Sequence, residues 1–135
     1  MMRMTVHQLI YMSQPFGFDD AMLNGILADS RRNNTRDGLT GCLVCRSDIY
    51  LQLLEGDPTA VEAAFSRIRG DNRHLQVERL SACAVDERLF PDWAMRDDPA
   101  RSWLWTSSEV ADGARQAAPA SDVRAVFERL ARAPA

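Results

Sequence analysis

The stretch "DIYLQLLEGDPTAVEAAFSRIRG", residues 48–70, decides the fold. Tyr50, Leu51, Leu53 and Leu54 read as a buried strand closed by Gly56. Asp57 is then a helix cap, Pro58 a first helical residue, and Val61, Ala64, Phe65 and Ile68 an apolar stripe before Gly70. A buried strand passing straight into a capped helix is half of a sheet-and-helix layer. One residue is out of place. Gln52 sits among the apolar residues, and its amide must find a donor and an acceptor or cost ~1–3 kcal/mol.

Upstream, "GLTGCLVC" from Gly38 is a strand joined to 49–56 through a tight hairpin at Ser47 and Asp48. Residues 4–13 form another, ending at Pro15 and Gly17. Between them Asp19 or Asp20 caps a helix carrying Met22, Leu23, Ile26 and Leu27, which runs out near "SRRNN" before a turn at Asp37-Gly38. Downstream, "LQVERLSACAVDE" from Leu75 is a strand, and "FPDWAMR" begins an edge strand after Pro91. The order strand, helix, strand, strand, helix, strand, strand predicts an α+β, ferredoxin-like split βαβ fold with one strand added. Its first and third strands are central neighbours. Tyr11, Ser13, Tyr50, Gln52 and Leu54 then face the two helices, while Ile10, Met12, Leu51 and Leu53 face away.

That second face needs a cover. "EVADGARQAAPA" (109–120) reads as a linker, and Ser121 caps a last helix with Val123, Val126, Phe127 and Leu130 at helical spacing. The expected division is therefore 1–98 as the main domain and 99–135 as a helical extension, capping the sheet or meeting a partner.

Composition excludes several classes. With 135 residues, 46% hydrophobic and a net charge of −3, the chain can bury a core without disulfides and gives no reason to expect non-specific nucleic-acid binding. No apolar run reaches a membrane span. "MMRMTVHQLIYMSQ" does not read as a signal peptide, and three cysteines without an export signal suit a reducing cytoplasm. Cys42 and Cys45 form a CxxC within one strand, so their side chains face opposite ways and cannot act as a redox or zinc pair. His7 and His74 accompany no nucleophile or ligand set, and no catalytic constellation emerges. "RRNN" followed by "DG" reads as a helix end and turn, "DNRH" as a loop, and Trp93 as an edge aromatic. Yet Tyr11, Asn34, Gln52 and Trp93 or Met95 arrive from different segments at one layer. A phenol and an amide in apolar surroundings suggest a polar ligand edge between the helices.

"LIYMS", "SRRNNTRDGLTG", "YLQLLEG", "DNRH" and "FPDWAM", in this order and spacing over roughly residues 5–97, resemble the BLUF domain, a flavin-binding blue-light sensor. The resemblance implies non-covalent FAD, with FMN the alternative, its ring between the two helices. It implies Tyr11 and Gln52 beside the flavin's C4 carbonyl and N5 edge, and Asn34 on the pyrimidine side supported by Asn33 and Ser13. Ile26 and Ile68 would sandwich the ring, while Arg67, Asp71, Arg73 and His74 contact the ribityl and phosphate portion. Light would draw an electron and proton from Tyr11 and leave the Gln52 amide rearranged, with Trp93 or Met95 in the switch. Met12 stands where the family often has a small residue, and Tyr50 where it commonly has Phe.

The expected protein is a non-enzymatic photoreceptor in the cytoplasm, signalling to a partner protein or through self-association as a dimer or larger homo-oligomer. A light-insensitive flavin or small-ligand sensor is the second reading. A small hydrolase, needing an anion cradle in the acidic "SQPFGFDD" loop, is the third.

Overall fold

The computed structural model describes residues 6–15, 20–46, 48–71, 74–99 and 120–132. Its elements are β1 (Val6–Pro15), α1 (Asp20–Asp37), β2 (Thr40–Arg46), β3 (Ile49–Gly56), α2 (Pro58–Arg69), β4 (His74–Val85), β5 (Arg96–Pro99) and α3 (Ala120–Arg132). The sheet order is β4-β1-β3-β2-β5, antiparallel except where β5 runs parallel to β2. This is the ferredoxin-like order with one strand added at the β2 edge.

β3 is the central strand, and every one of its eight residues is buried. That explains its near-continuous apolar run. Arg46 pairs with Ile49, so the β2–β3 hairpin closes over two residues. Asp48 holds that turn by accepting from the Arg46 guanidinium, and Ser47 lies outside the described residues. α2 begins as its punctuation requires: the Asp57 carboxylate accepts from Thr59 N at 3.0 Å and Ala60 N at 3.2 Å, with Pro58 at the first position. α1 runs a turn beyond "SRRNN" to Asp37. It stops because Gly38 takes φ +72°, a conformation that side chains resist. Asp19, one of its two expected caps, is outside the described residues.

The alternation of β1 and β3 divides the core. Leu9, Tyr11, Leu43, Tyr50, Leu54 and Met95 pack with Ile26, Leu27, Val61 and Phe65 on the α1/α2 face. Ile10, Met12, Cys42, Val44, Leu51 and Leu53 pack with Phe90 and with Val123, Phe127 and Leu130 of α3 on the other. Met12 points away from the helix-flanked side, and Tyr50 points into it. Cys42 and Cys45 part to opposite faces, and all three cysteines are free thiols.

The expectation for the last strand needs correction. β5 starts at Arg96, not just after Pro91. Residues 90–95 instead form a turn-rich approach in which Trp93 N donates to Phe90 O at 3.3 Å and Gly41 N donates to Trp93 O at 3.1 Å. The strand signal in Phe90 and Trp93 is overruled by these backbone bonds and by bonds to the Glu55 side chain. Both oxygens of buried Glu55 accept backbone N–H groups, from Leu89 and Phe90, each at 2.8 Å. Arg88 ties the same loop to Thr40, Gly38 and Glu55. Gly41 has a steric reason as well, since a Cβ there would fall 2.0 Å from the Leu53 carbonyl oxygen.

Candidate functional site

A cavity of about 220 Å³ is lined by residues of α1, α2 and β3. Its walls are two helical stripes. α1 contributes Ile26, Asp29, Ser30, Asn33 and Asn34, the i, i+3, i+4, i+7, i+8 positions of one face, with Arg32 beside them. Ala64, Arg67 and Ile68 of α2, and Asp71 just beyond it, follow the same period. Gln52 and Leu54 form the floor.

The opening anomaly of the sequence finds its partners here. Tyr11 and Gln52 are directly paired residues of β1 and β3. The phenol Oη–H donates to Gln52 Oε1, and Gln52 Nε2 lies 3.5 Å from Met95 Sδ, a weak acceptor. Gln52 is 1% exposed. Tyr11 is sealed behind it, its ring 5.3 Å from Phe65 at 59°. Burial, then the nearby Asp71 charge, push the Tyr11 phenol well above its ordinary value of 10.0, so it stays protonated and has a hydrogen to donate to Gln52 Oε1.

Asn34, 3% exposed, spends its amide N–H on the Ala94 carbonyl at 2.8 Å. The amide also carries a second N–H and the acceptor Oδ1. Arg31, one helical turn earlier, donates to Met95 O at 3.1 Å. α1 thus grips the approach to β5 at two consecutive carbonyls and holds Met95, 1% exposed, against the floor. Trp93 is 40% exposed and lies outside this layer. Ser13 is fully buried opposite Tyr50. Arg73 lies outside the described residues, and of His74 only its backbone pairing with Pro15 is described.

Sequence reading overlooked Asp29, Ser30, Arg32, Leu54 and Ala64 as lining residues. The signal was there: stepping by three and four from Ile26 and back from Ile68 finds Asp29, Ser30 and Ala64. His7, outside the cavity, meets Glu62 at 3.2 Å, and Arg79 donates to the other oxygen of that carboxylate at 2.6 Å.

The donor set fits a flavin. Ile26, Leu54, Ala64 and Ile68 give flat apolar walls, and the Gln52 and Asn34 amides offer both donors and acceptors to a ring edge. Arg32 and Arg67 supply cations for an anionic tail, and Asp29, bonded to Arg32 at 2.9 Å, orients one of them. The volume takes a ring system rather than a whole dinucleotide, being below the ~300–1,000 Å³ that encloses a drug-sized molecule. Among the described residues there is no cluster of metal ligands, and no helix is long and apolar enough to cross a membrane.

Comparison with known proteins agrees with this chemistry. The family model "BLUF: Sensors of blue-light using FAD" matches residues 6–96. The photoactivated adenylate cyclase subunit beta of Euglena gracilis is 33% identical over 95 residues, 67% of this chain but 11% of that protein. The chain therefore spans about a tenth of the length of that relative. Among solved structures, the dark state of the BLUF protein BlrB superposes with a TM-score of 0.77 at 27% identity, covering 96% of this chain and 98% of that one. The photo-activated state of BlsA gives a TM-score of 0.77 at 25% identity, with 96% of each chain covered.

Proposed function

The chain belongs to the BLUF family of blue-light sensors using FAD, and from that membership we propose that Tyr11, Gln52 and Met95 form its switch. The observation that carries the reading is the bond from the Tyr11 phenol to Gln52 Oε1 in the floor of the cavity. Bound FAD supplies blue-light absorption and an excited ring that accepts an electron. Ile26 and Ile68 clamp the ring, while Asn34 Oδ1 and the Gln52 amide orient its polar edge. Asn33 and Ser13 support those contacts. Arg67, Asp71, Arg73 and His74 serve the tail of the cofactor.

Tyr11 holds the electron and the proton that leave and return. At rest the phenol donates to the Gln52 carbonyl. With the phenol briefly without its hydrogen, that carbonyl loses its donor and the amide can exchange ends. After exchange Nε2–H points at Tyr11 Oη, and Oε1 faces Met95 Sδ, where two acceptors oppose with no hydrogen between them. Met95 is therefore the residue that senses the exchange. Nothing is consumed, so thermal reversal restores the resting arrangement.

The output passes to a protein partner. The Euglena relative is, by name, a photoactivated adenylate cyclase subunit, and a cyclase-type effector is one class of partner for this module. Residues 99–135 are the segment through which we expect that partner, or a second copy of the chain, to be addressed.

Absorption spectra before and after blue light, for wild type and Gln52→Leu, test the reading. A bound flavin that shifts slightly red, recovers in darkness and loses the shift in the variant supports it. Bound flavin without a reversible shift would favour a passive flavin sensor. Protein that cannot be loaded with FAD would refute both.

A further inference from the structure

Met95 and Arg96 are consecutive residues that serve opposite faces of the sheet. Met95 Sδ meets Gln52 on the cavity side. Arg96 opens β5, paired with Cys42, whose side chain belongs to the α3-covered core. The Arg96 side chain is 4% exposed, and its Nη1 donates to the Leu130 carbonyl at 3.1 Å. Leu130 lies in the last turn of α3, where backbone carbonyls have no partner within the helix and where a cation is favoured by the helix dipole. A buried guanidinium there forms a charge-assisted bond to the helix end.

The neighbouring residues make this a linkage and not an isolated contact. Ala94 O is held by Asn34 at 2.8 Å and Met95 O by Arg31 at 3.1 Å. Three successive residues are thus fixed to α1, to Gln52 and to α3. Met95 directly precedes Arg96, the first residue of β5, so a displacement of one is felt by the other.

We propose that Arg96 is a positioning residue: its bond to the C-terminal turn of α3 holds Met95 against Gln52, and the Gln52 state in turn sets whether that turn is held. The proposal rests on the switch described above. Coupling of this kind is reciprocal, so whatever loosens α3 also changes the lifetime of the switched state. Arg96 has no place in the flavin cavity, which separates its effects from those of ligand residues.

The test uses the full chain loaded with FAD. Hydrogen exchange of residues 123–132 is followed in darkness and under continuous blue light, alongside the rate of dark recovery, for wild type, Arg96→Met and Arg96→Lys. In wild type, light should raise exchange in the last turn of α3. In Arg96→Met that exchange should already be high in the dark and insensitive to light. Its red shift should remain, with recovery slowed by roughly threefold or more, the scale of one hydrogen bond present in one state and absent in the other. Arg96→Lys, which keeps the charge and one donor, should restore part of both effects. Arg96→Met that keeps wild-type recovery and light-dependent exchange would overturn the proposal. So would a wild-type α3 indifferent to light, a result that stands even if Arg96→Met fails to hold FAD. A wild type with no red shift at all would instead refute the underlying photoswitch.

Discussion

On the helix-flanked face of the sheet, Tyr11, Ser13, Tyr50 and Gln52 set hydroxyls and an amide among Leu9, Leu43 and Leu54. On the opposite face the same strands set Ile10, Met12, Leu51 and Leu53 beneath Phe127 and Leu130. Both faces are buried and both obey the same two-residue period. They differ in what a displaced side chain would meet. On the α3 face a shift mostly trades one apolar contact for another, so packing sets most of the geometry, with the bond from Arg96 to the Leu130 carbonyl as the polar exception. On the α1/α2 face a displaced amide must find another hydrogen-bond partner, and Gln52 has two discrete ways to do so. Bistability needs a polar group with alternatives, and the Gln52 amide, which presents a donor and an acceptor on one planar group, supplies it on the α1/α2 side.

The sharpest way to break that comparison is to change adjacent residues of β1. Tyr11→Phe removes the hydrogen that Gln52 Oε1 accepts, together with the hydroxyl we propose as the source of the electron and proton. We expect FAD to remain bound and the reversible red shift to disappear. Met12→Leu, one residue on and facing α3, should keep the shift and cost less than about 1.5 kcal/mol, as volume-conserving core changes do. Flash spectroscopy of the two variants, paired with urea denaturation, decides it. A photoswitch that survives Tyr11→Phe would end the assignment of roles to the two faces.

The converse change falls on the packing side. Phe127 is fully buried in α3 and meets Phe90 edge-on at 6.4 Å. Phe127→Ala should lower unfolding free energy by roughly 3–5 kcal/mol, the usual cost of emptying a buried aromatic site. Calorimetry or urea midpoints would measure it. The molecules that remain folded should still show the red shift.

The two faces also differed in how far the sequence revealed them. The α3 face followed from alternation alone: Ile10, Met12, Leu51 and Leu53 needed a cover, and Val123, Phe127 and Leu130 supplied the matching stripe. On the other face, Gln52 and Tyr11 stood out because polar groups in apolar runs are conspicuous. Arg32 and Ser30 did not, because polar residues on an exposed-looking helix are ordinary. The start of β5 was misplaced because Phe90 and Trp93 have strand propensity, while the bonds that prevent a strand come from Glu55 and Gly41, some 35 and 52 residues away in sequence. Propensity is local, and those partners are not. Arg96 was invisible for a similar reason, since only the packed helix gives its charge a carbonyl to meet.

A smaller effect probes the Tyr11 environment directly. Its folded-state pKa is raised by burial and then by Asp71, while in the unfolded chain it sits near 10. The folded state therefore keeps its proton where the unfolded state releases it. The stability this contributes is fully present below pH ~10 and is lost as pH rises from there through the folded value, at up to about 1.4 kcal/mol per pH unit. Comparing wild type with Tyr11→Phe by denaturant unfolding between pH 9 and 11 isolates this slope from the other titrating groups. Equal slopes would mean the phenol is not sealed as the structure has it.

The smallest expected effect sharpens the comparison at the cavity wall. Asp57 caps α2 by accepting from Thr59 N and Ala60 N, and α2 carries Ala64, Arg67 and Ile68 to the cavity. Asp57→Ala should cost about 1 kcal/mol, whereas Asp57→Ser, which keeps an acceptor oxygen, should cost little. Because the cap acts on the first turn of α2, hydrogen exchange should rise at residues 59–62 and stay unchanged at 123–130 on the opposite face. If both regions loosen together, the sheet transmits local disorder between its faces even without light. The separation between a switching face and a packing face would then belong to side-chain chemistry alone and not to mechanical insulation.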